Sequence, residues 1–407
     1  MKDLQIKKLI EAEKKRQKSV INLIASENYV SKDVLEALGS ELTNKYAEGY
    51  SKLRYYGGNE NVDKLENLCK QRAMDLFNIT AVEWSVNVQA LSGSPANLAV
   101  YLALVPQGGK IMGMSLDHGG HLTHGHKVSA SGKFWVQVPY GVDKDTELLN
   151  YDEIKEIAMH EKPAILVGGY TAYPRIIDFK KLREITDASG AILMIDMSHI
   201  AGLIAGKEYP SPFEYADVVT TTVHKTLRGP RSAIIFSRNE KKIINKNGKE
   251  QNLGELIDKA VFPGLQGGPH MNQIAAVAVA LKEASTTEFK KYALQIKKNA
   301  KVLAEELKNR GWRIISGGTD SHLILVDTWM GGNRNKNSIG GISGKDASER
   351  LERGGIIVNK NTIPFDTRPP IDPSGIRLGT AAETTRGKKE KDMKKIAERI
   401  DTILRKR

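Results

Sequence analysis

Two short runs of the 407-residue chain each bring an ionisable side chain to the end of an apolar, β-branched stretch. Ala191 to Ile195 runs into Asp196-Met197-Ser198-His199, and Asp217 to Thr222 runs into Val223-His224-Lys225. In a sheet of parallel strands, residues just past the carboxyl ends converge on one crevice. A lysine amine there can form an imine with a carbonyl, and a carboxylate can keep a ring nitrogen protonated. Pyridoxal phosphate needs this pair, because its protonated ring must draw electrons from the substrate Cα. Each residue also has an ordinary reading, the lysine as one of many and the aspartate as a turn or helix cap.

Two further runs fit the same chemistry. Leu91-Ser92-Gly93-Ser94-Pro95 precedes the apolar helical stretch Ala96 to Val105, with Ser94 suited to the N-cap and Pro95 to the first turn. Free N–H groups and the positive dipole end make such a start a phosphate site, although a plain helix cap explains the pattern equally well. Asp117 to Gly125 is a loop rich in histidine and glycine; with His126 it holds four of the nine histidines. No cysteine and few carboxylates accompany them, so an imidazole packed on a flat ring fits better than a metal, and no metal site is expected.

The elements that must position these residues follow from hydrophobic pattern. Short runs at Lys110 to Met114, Ala164 to Gly168, Ala191 to Met197, Asp217 to Thr222 and Ala233 to Ser237 alternate with helical or polar segments. This predicts an α/β fold with a mostly parallel sheet covered by helices. A single long helix is expected over Met271 to Arg310, ended by Gly311, and after it come the strand-like runs Trp312 to Ile315, Leu323 to Val326, Ile356 to Val358 and Ile376 to Leu378. The expected division is an N-terminal helical arm over residues 1–30, a large domain over 31–270, and a smaller α+β domain over 271–407 that begins with the long helix. The basic stretch Arg386 to Arg407 carries Ile396, Ile400, Ile403 and Leu404 at helical spacing.

Composition narrows the class. No apolar run approaches the roughly 18 residues of a membrane span, and the N-terminus mixes lysines with glutamates as an amphipathic helix, not a secretory signal. A cytoplasmic location is expected. Cys69 is the only cysteine, so no intrachain disulfide can form, and it reads as a small buried hydrophobe. The net charge of +13 would attract anionic partners. No RNA-recognition or finger signature accompanies it, so nucleic acid is not an expected partner.

The run Leu23-Ile24-Ala25-Ser26-Glu27-Asn28, then Leu42 to Tyr50, then Arg54-Tyr55-Tyr56-Gly57-Gly58, strongly resembles serine hydroxymethyltransferase. Thr220 to Pro230, Phe262 to Pro269, Ser316 to His322, Val358 to Asn361 and Gly375 to Thr380 extend the likeness in order over nearly the whole chain. The resemblance implies the aspartate-aminotransferase-type architecture, fold type I of the pyridoxal-phosphate enzymes, with a mostly parallel seven-stranded sheet in the large domain. It implies Lys225 as the Schiff-base lysine, Asp196 opposite the pyridine nitrogen, His121 stacked on the ring and His199 near its hydroxyl. Phosphate would lie at Ser92, Gly93 and Ser94 with His224, helped by Tyr46 and the Gly267-Gly268 turn of a neighbouring subunit. Thr171 and Thr222 complete the cofactor set; Thr171 stands where serine is common.

For the amino acid, the resemblance implies Arg377 on the carboxylate with Ser26 and Tyr56 assisting, since a planar guanidinium can make two parallel hydrogen bonds. Glu48 would handle protons near the serine hydroxyl and the folate. Tetrahydrofolate would enter over Tyr55, Leu116, Gly120 and Leu122, with Asn361 near the pterin. The implied reaction converts L-serine and tetrahydrofolate to glycine and 5,10-methylenetetrahydrofolate in an obligate homodimer or a dimer of dimers. Two rivals remain: a folate-independent threonine-type aldolase, opposed by Glu48 and the Tyr55-Tyr56 pair, and a basic RNA-binding protein on an inactive fold, opposed by intact Lys225, Asp196 and Arg377.

Overall fold

A computed structural model describes residues 1–244, 250–332 and 340–406, so Arg407 of the basic C-terminal run lies outside the described residues. The chain divides into two compact units, one of residues 28–294 and one of residues 1–27 with 295–407.

The first unit is built on seven strands: β1 (Trp84–Asn87), β2 (Lys110–Met114), β3 (Val136–Tyr140), β4 (Ile165–Gly168), β5 (Ile192–Asp196), β6 (Val218–Thr222) and β7 (Ala233–Arg238). They lie in the order β1-β7-β6-β5-β4-β2-β3. Only β7 runs against its neighbours, pairing antiparallel with both β1 and β6, while β2, β3, β4, β5 and β6 pair in parallel. Strands covered on both faces read as continuous apolar or β-branched runs, which is why β2, β4, β5, β6 and β7 were visible in sequence and the two edge strands β1 and β3 were not. Ile111, Ile165, Met194, Val218 and Ile235 share one buried cluster with Ala96, Val100 and Leu104 of helix α1 (Gly93–Leu104) and with Leu253 and Ile257. Each such side chain contributes roughly 1.5–3 kcal/mol by leaving water.

The expected single helix over Met271 to Arg310 is two, α2 (Met271–Ala284) and α3 (Thr287–Asn309). Thr286 makes the break: its hydroxyl donates to the Glu283 carbonyl and accepts the Phe289 N–H, an N-cap arrangement without glycine or proline. The second unit begins within α3. Its antiparallel sheet orders β8 (Arg313–Ile314), β9 (Leu323–Asp327), β11 (Gly375–Gly379) and β10 (Asn359–Asn361). Its core joins Ile324 and Val326 of β9 to Met393, Ile396, Ile400 and Leu404 of helix α4 (Glu390–Arg405).

In the first unit a small hairpin, Gly49–Tyr50 against Leu53–Arg54, is fixed by one buried arginine. Arg54 reaches Asp63 at 2.9 Å and the fully buried Glu66 at 2.6 Å, and its remaining N–H groups hold the Ala47 and Gly49 carbonyls. Gln89 adds hydrogen bonds to Gly49 and Glu66. This clamp sets the chain directions of Glu48 and Tyr55 on either side of the hairpin. Replacing Arg54 by Met removes the ion pairs to Glu66 and Asp63 and leaves the buried Glu66 with only Lys70 and Gln89; unfolding free energy in urea is expected to fall by about 3 kcal/mol. A loss below ~1 kcal/mol would show that the clamp is not what holds the hairpin.

Candidate active site

Asp196 is the last residue of β5 and pairs in register with Thr220 of β6, which continues two residues further to Thr222. Lys225 lies three residues past the end of β6. The result is one small cavity lined by Gly93, His121, His124, Tyr170, Thr171, Asp196, Ser198, His199, Thr222 and Lys225. Gly169, which follows the end of β4 at φ +97°, lets the chain pass close to the end of β5, since a Cβ there would stand only 1.9 Å from the Asp196 carbonyl oxygen.

Four groups hold the Asp196 carboxylate. Asn97 Nδ2 donates to one oxygen at 2.9 Å and His124 Nε2 lies 3.4 Å from it. The other oxygen accepts the Ser198 N–H at 3.1 Å and the Ser198 hydroxyl at 2.5 Å. Burial pushes this carboxyl up, but the His124 hydrogen bond and charge, the His121 charge and the Asn97 amide outweigh it, leaving it well below the ordinary range. It therefore stays ionised beside the cavity.

His121 is oriented from behind: its Nδ1 lies 2.7 Å from the Thr123 hydroxyl and accepts the Thr123 N–H, and Asn97 Nδ2 bonds the same hydroxyl. Thr171, also in the lining, donates its hydroxyl to the Gly119 and Gly120 carbonyls, which ties the histidine loop to β4. Lys225 Nζ donates to Thr222 Oγ1 at 2.8 Å, and its carbonyl accepts Asn28 Nδ2 at 2.9 Å. Arg228, at φ +57°, seats its guanidinium 4.5 Å over the Tyr292 ring and fixes the turn that follows.

Helix α1 starts at Gly93, with Ser92 rather than the expected Ser94 in the N-cap position and Pro95 inside the first turn. The reason is steric, since a Cβ at residue 93 would stand 2.6 Å from Thr222 Cγ2, so only glycine lets the helix begin against the end of β6. The Ser92 hydroxyl makes no cap hydrogen bond to the helix. Nearby in sequence to Lys225, His224 Nδ1 is buried without a partner, and burial, then the charges of Lys225 and Arg231, push its pKa down to about 3. Open N–H groups, small side chains and an unpartnered imidazole nitrogen fit a phosphate; the ionised Asp196 and the lysine fit a pyridine aldehyde. The donor set thus matches the cofactor that the sequence implies.

The remaining expected residues fall into other groups. Tyr46, Glu48, Tyr56 and the Gly267-Gly268 turn gather together: Tyr46 Oη is 3.3 Å from Glu48 Oε1, its ring lies edge-on to Tyr56 at 5.2 Å, and a Cβ on Gly268 would touch that ring at 3.2 Å. Glu48, Tyr55 and Phe262 to Gly267 line a separate open pocket of about 560 Å³, and Tyr46, Tyr55 and Tyr56 are all exposed. Leu116, Gly120 and the exposed Leu122 sit in the histidine loop. Ser26, Arg377 and Asn361 belong to the second unit, where Arg377 on β11 donates Nε to Asn359 Oδ1 at 3.1 Å and burial lowers its pKa to about 10.

Asn97, His124 and Ser198 are site residues to which sequence reasoning gave no role. Ser198 was legible as the third residue of an Asp-x-Ser turn. Asn97 was not, because nothing in an apolar helix says which strand end its one polar face meets. Among the described residues no group of three or more histidine, cysteine, aspartate or glutamate side chains could hold a metal ion, and no helix is long and apolar enough to cross a membrane.

Gly169→Ala is expected to lower the unfolding free energy by more than ~3 kcal/mol, through overpacking added to a strained φ. Gly190→Ala, at φ +77° with nothing within 4 Å, is expected to lose only the backbone part, about 1–2 kcal/mol. Equal losses in a paired urea titration would remove the Asp196 contact as the cause.

The family model described as serine hydroxymethyltransferase matches residues 1–400. A curated relative named serine hydroxymethyltransferase, from Koribacter versatilis (strain Ellin345), is 51% identical over 405 residues, covering 100% of this chain and 89% of the relative. With the lysine, the ionised aspartate and the helix start in place, the chain belongs to the serine hydroxymethyltransferase family, pyridoxal-phosphate enzymes that exchange a hydroxymethyl carbon between serine and tetrahydrofolate.

Proposed function

We propose that this chain performs that exchange with Lys225 as the covalent anchor of the cofactor, Asp196 on its ring nitrogen and His121 over its ring face. The observation that carries the assignment is the shared carboxyl end of the parallel pair β5 and β6, where Asp196, Thr222 and Lys225 line one cavity with His121 and His199. When bound, pyridoxal phosphate supplies a protonated ring that takes up the electron pair left on the substrate Cα when a bond to that carbon breaks. The protein's part is to keep Asp196 charged, the His121 ring fixed, and the phosphate at Ser92, Gly93 and Ser94 with His224.

Around this centre the assignment continues outward. Thr171, Thr222 and His199 line the cofactor cavity. Arg377, with Ser26 and Tyr56, binds the amino-acid carboxylate, where a bidentate guanidinium fixes which Cα bond is presented. Glu48 gives and takes the proton of the substrate hydroxyl, and Tyr55, Leu116, Gly120, Leu122 and Asn361 bind tetrahydrofolate. Tyr46, Gly267 and Gly268 serve the phosphate side of a partner's site in a homodimer; the exposure of Tyr46, Tyr55 and Tyr56 supports a second copy covering them. In this reading residues 31–270 carry the cofactor, residues 271–407 the carboxylate-binding arginine, residues 1–30 an arm, and the enzyme works in the cytoplasm.

Glycine release from serine, measured with and without tetrahydrofolate, tests the reading. Lys225→Ala is expected to abolish turnover, and Glu48→Gln to retain cofactor while losing about 10²–10⁴ of the tetrahydrofolate-dependent rate. Arg377→Ala should weaken serine binding by roughly 2–5 kcal/mol. Wild-type turnover indifferent to tetrahydrofolate would instead favour a threonine-type aldolase.

A further inference from the structure

Asp196 is held to the protein on both oxygens, but one of its partners does more than the others. Ser198 supplies two donors to the same oxygen, its N–H at 3.1 Å and its hydroxyl at 2.5 Å. That hydroxyl also accepts the Thr222 N–H at 2.9 Å. An N–H can only donate and a hydroxyl has one proton, so the Ser198 proton is directed at the carboxylate and the rotor is locked. Ser198 is buried and so is Thr222. Thr222 meanwhile receives Lys225 Nζ on its own hydroxyl at 2.8 Å. A continuous path therefore runs from the Asp196 carboxylate through the Ser198 hydroxyl to the last residue of β6, and from that residue to the lysine amine.

We propose that Ser198 is a positioning residue: its hydroxyl fixes the Asp196 carboxylate against the end of β6, so that the aspartate and Lys225 address one cofactor in a set relative geometry. The inference rests on the reading that Asp196 faces the cofactor's ring nitrogen. The turn itself does not depend on the hydroxyl, because the Ser198 N–H to Asp196 bond survives any side chain. An alanine at 198 removes a charge-assisted donor from the carboxylate and leaves the Thr222 N–H without its acceptor. The other charged or titratable groups facing the carboxylate, His124, His121 and Tyr101, are unaltered by the change.

The experiment uses the full-length enzyme, stripped of cofactor and titrated with pyridoxal 5′-phosphate. It reads the dissociation constant and the pH midpoint of the bound cofactor's visible absorbance for wild type, Ser198→Ala, Ser198→Thr and Asp196→Asn, with urea stability of each cofactor-free variant measured in parallel. Ser198→Ala is expected to weaken binding about tenfold and to move the pH midpoint in the same direction as Asp196→Asn, while Ser198→Thr stays near wild type. If Asp196→Asn changes both quantities and Ser198→Ala changes only the stability, the serine is merely structural and the proposal is overturned. If Asp196→Asn itself leaves both quantities unchanged, the assignment of the ring-nitrogen partner fails first, and the proposal falls with it.

Discussion

A buried carboxylate is costly unless donors surround it, and this site depends on keeping one charged. Asp196 meets that condition with an amide, an imidazole, a hydroxyl and a backbone N–H, contributed by helix α1, the histidine loop and its own turn. Each donor constrains its element. Asn97 fixes the rotation of α1, Gly93 allows that helix to start against Thr222, and Gly169 lets β4 end against the Asp196 backbone. The helix start, the histidine loop and the lysine turn are thereby brought to one place by the needs of one side chain.

The surroundings of the lysine follow the same economy of contact. Asn28 holds the Lys225 carbonyl and the Tyr292 hydroxyl together, and Arg228 lies against the Tyr292 and Phe289 rings. The Lys225 backbone is thus braced by residues from both ends of the first unit, and its amine is directed at the Thr222 hydroxyl. Away from the cavity, Arg54 does for the Glu48 hairpin what Asn28 does for the lysine turn, by holding backbone carbonyls.

Much of this was legible in sequence where burial is local and continuous. The parallel strands β2, β4, β5 and β6 were, because they are almost wholly buried and read as apolar or β-branched runs, whereas edge strand β3, with Val136 and Pro139 exposed, was not; terminal helix α4 was legible too, its Ile396, Ile400 and Leu404 buried at the expected spacing. The break between α2 and α3 was missed because Thr286 makes it with a side-chain cap in a polar stretch, without the glycine or proline that usually marks one. Strand β10 was missed because Asn359 to Asn361 has no apolar alternation. Lys225 and Asp196 were legible from their place at strand ends and His121 and His199 only through the family resemblance, whereas Asn97 and His124 became site residues only through contacts distant in sequence.

The most direct test of the account is chemical. Cofactor-loaded enzyme is reduced with borohydride, digested and mapped by mass spectrometry for the lysine that retains a phosphopyridoxyl group. The account predicts the label on the peptide containing Lys225 and on no other; a label on a different lysine, or none after reduction of a fully loaded enzyme, would contradict it.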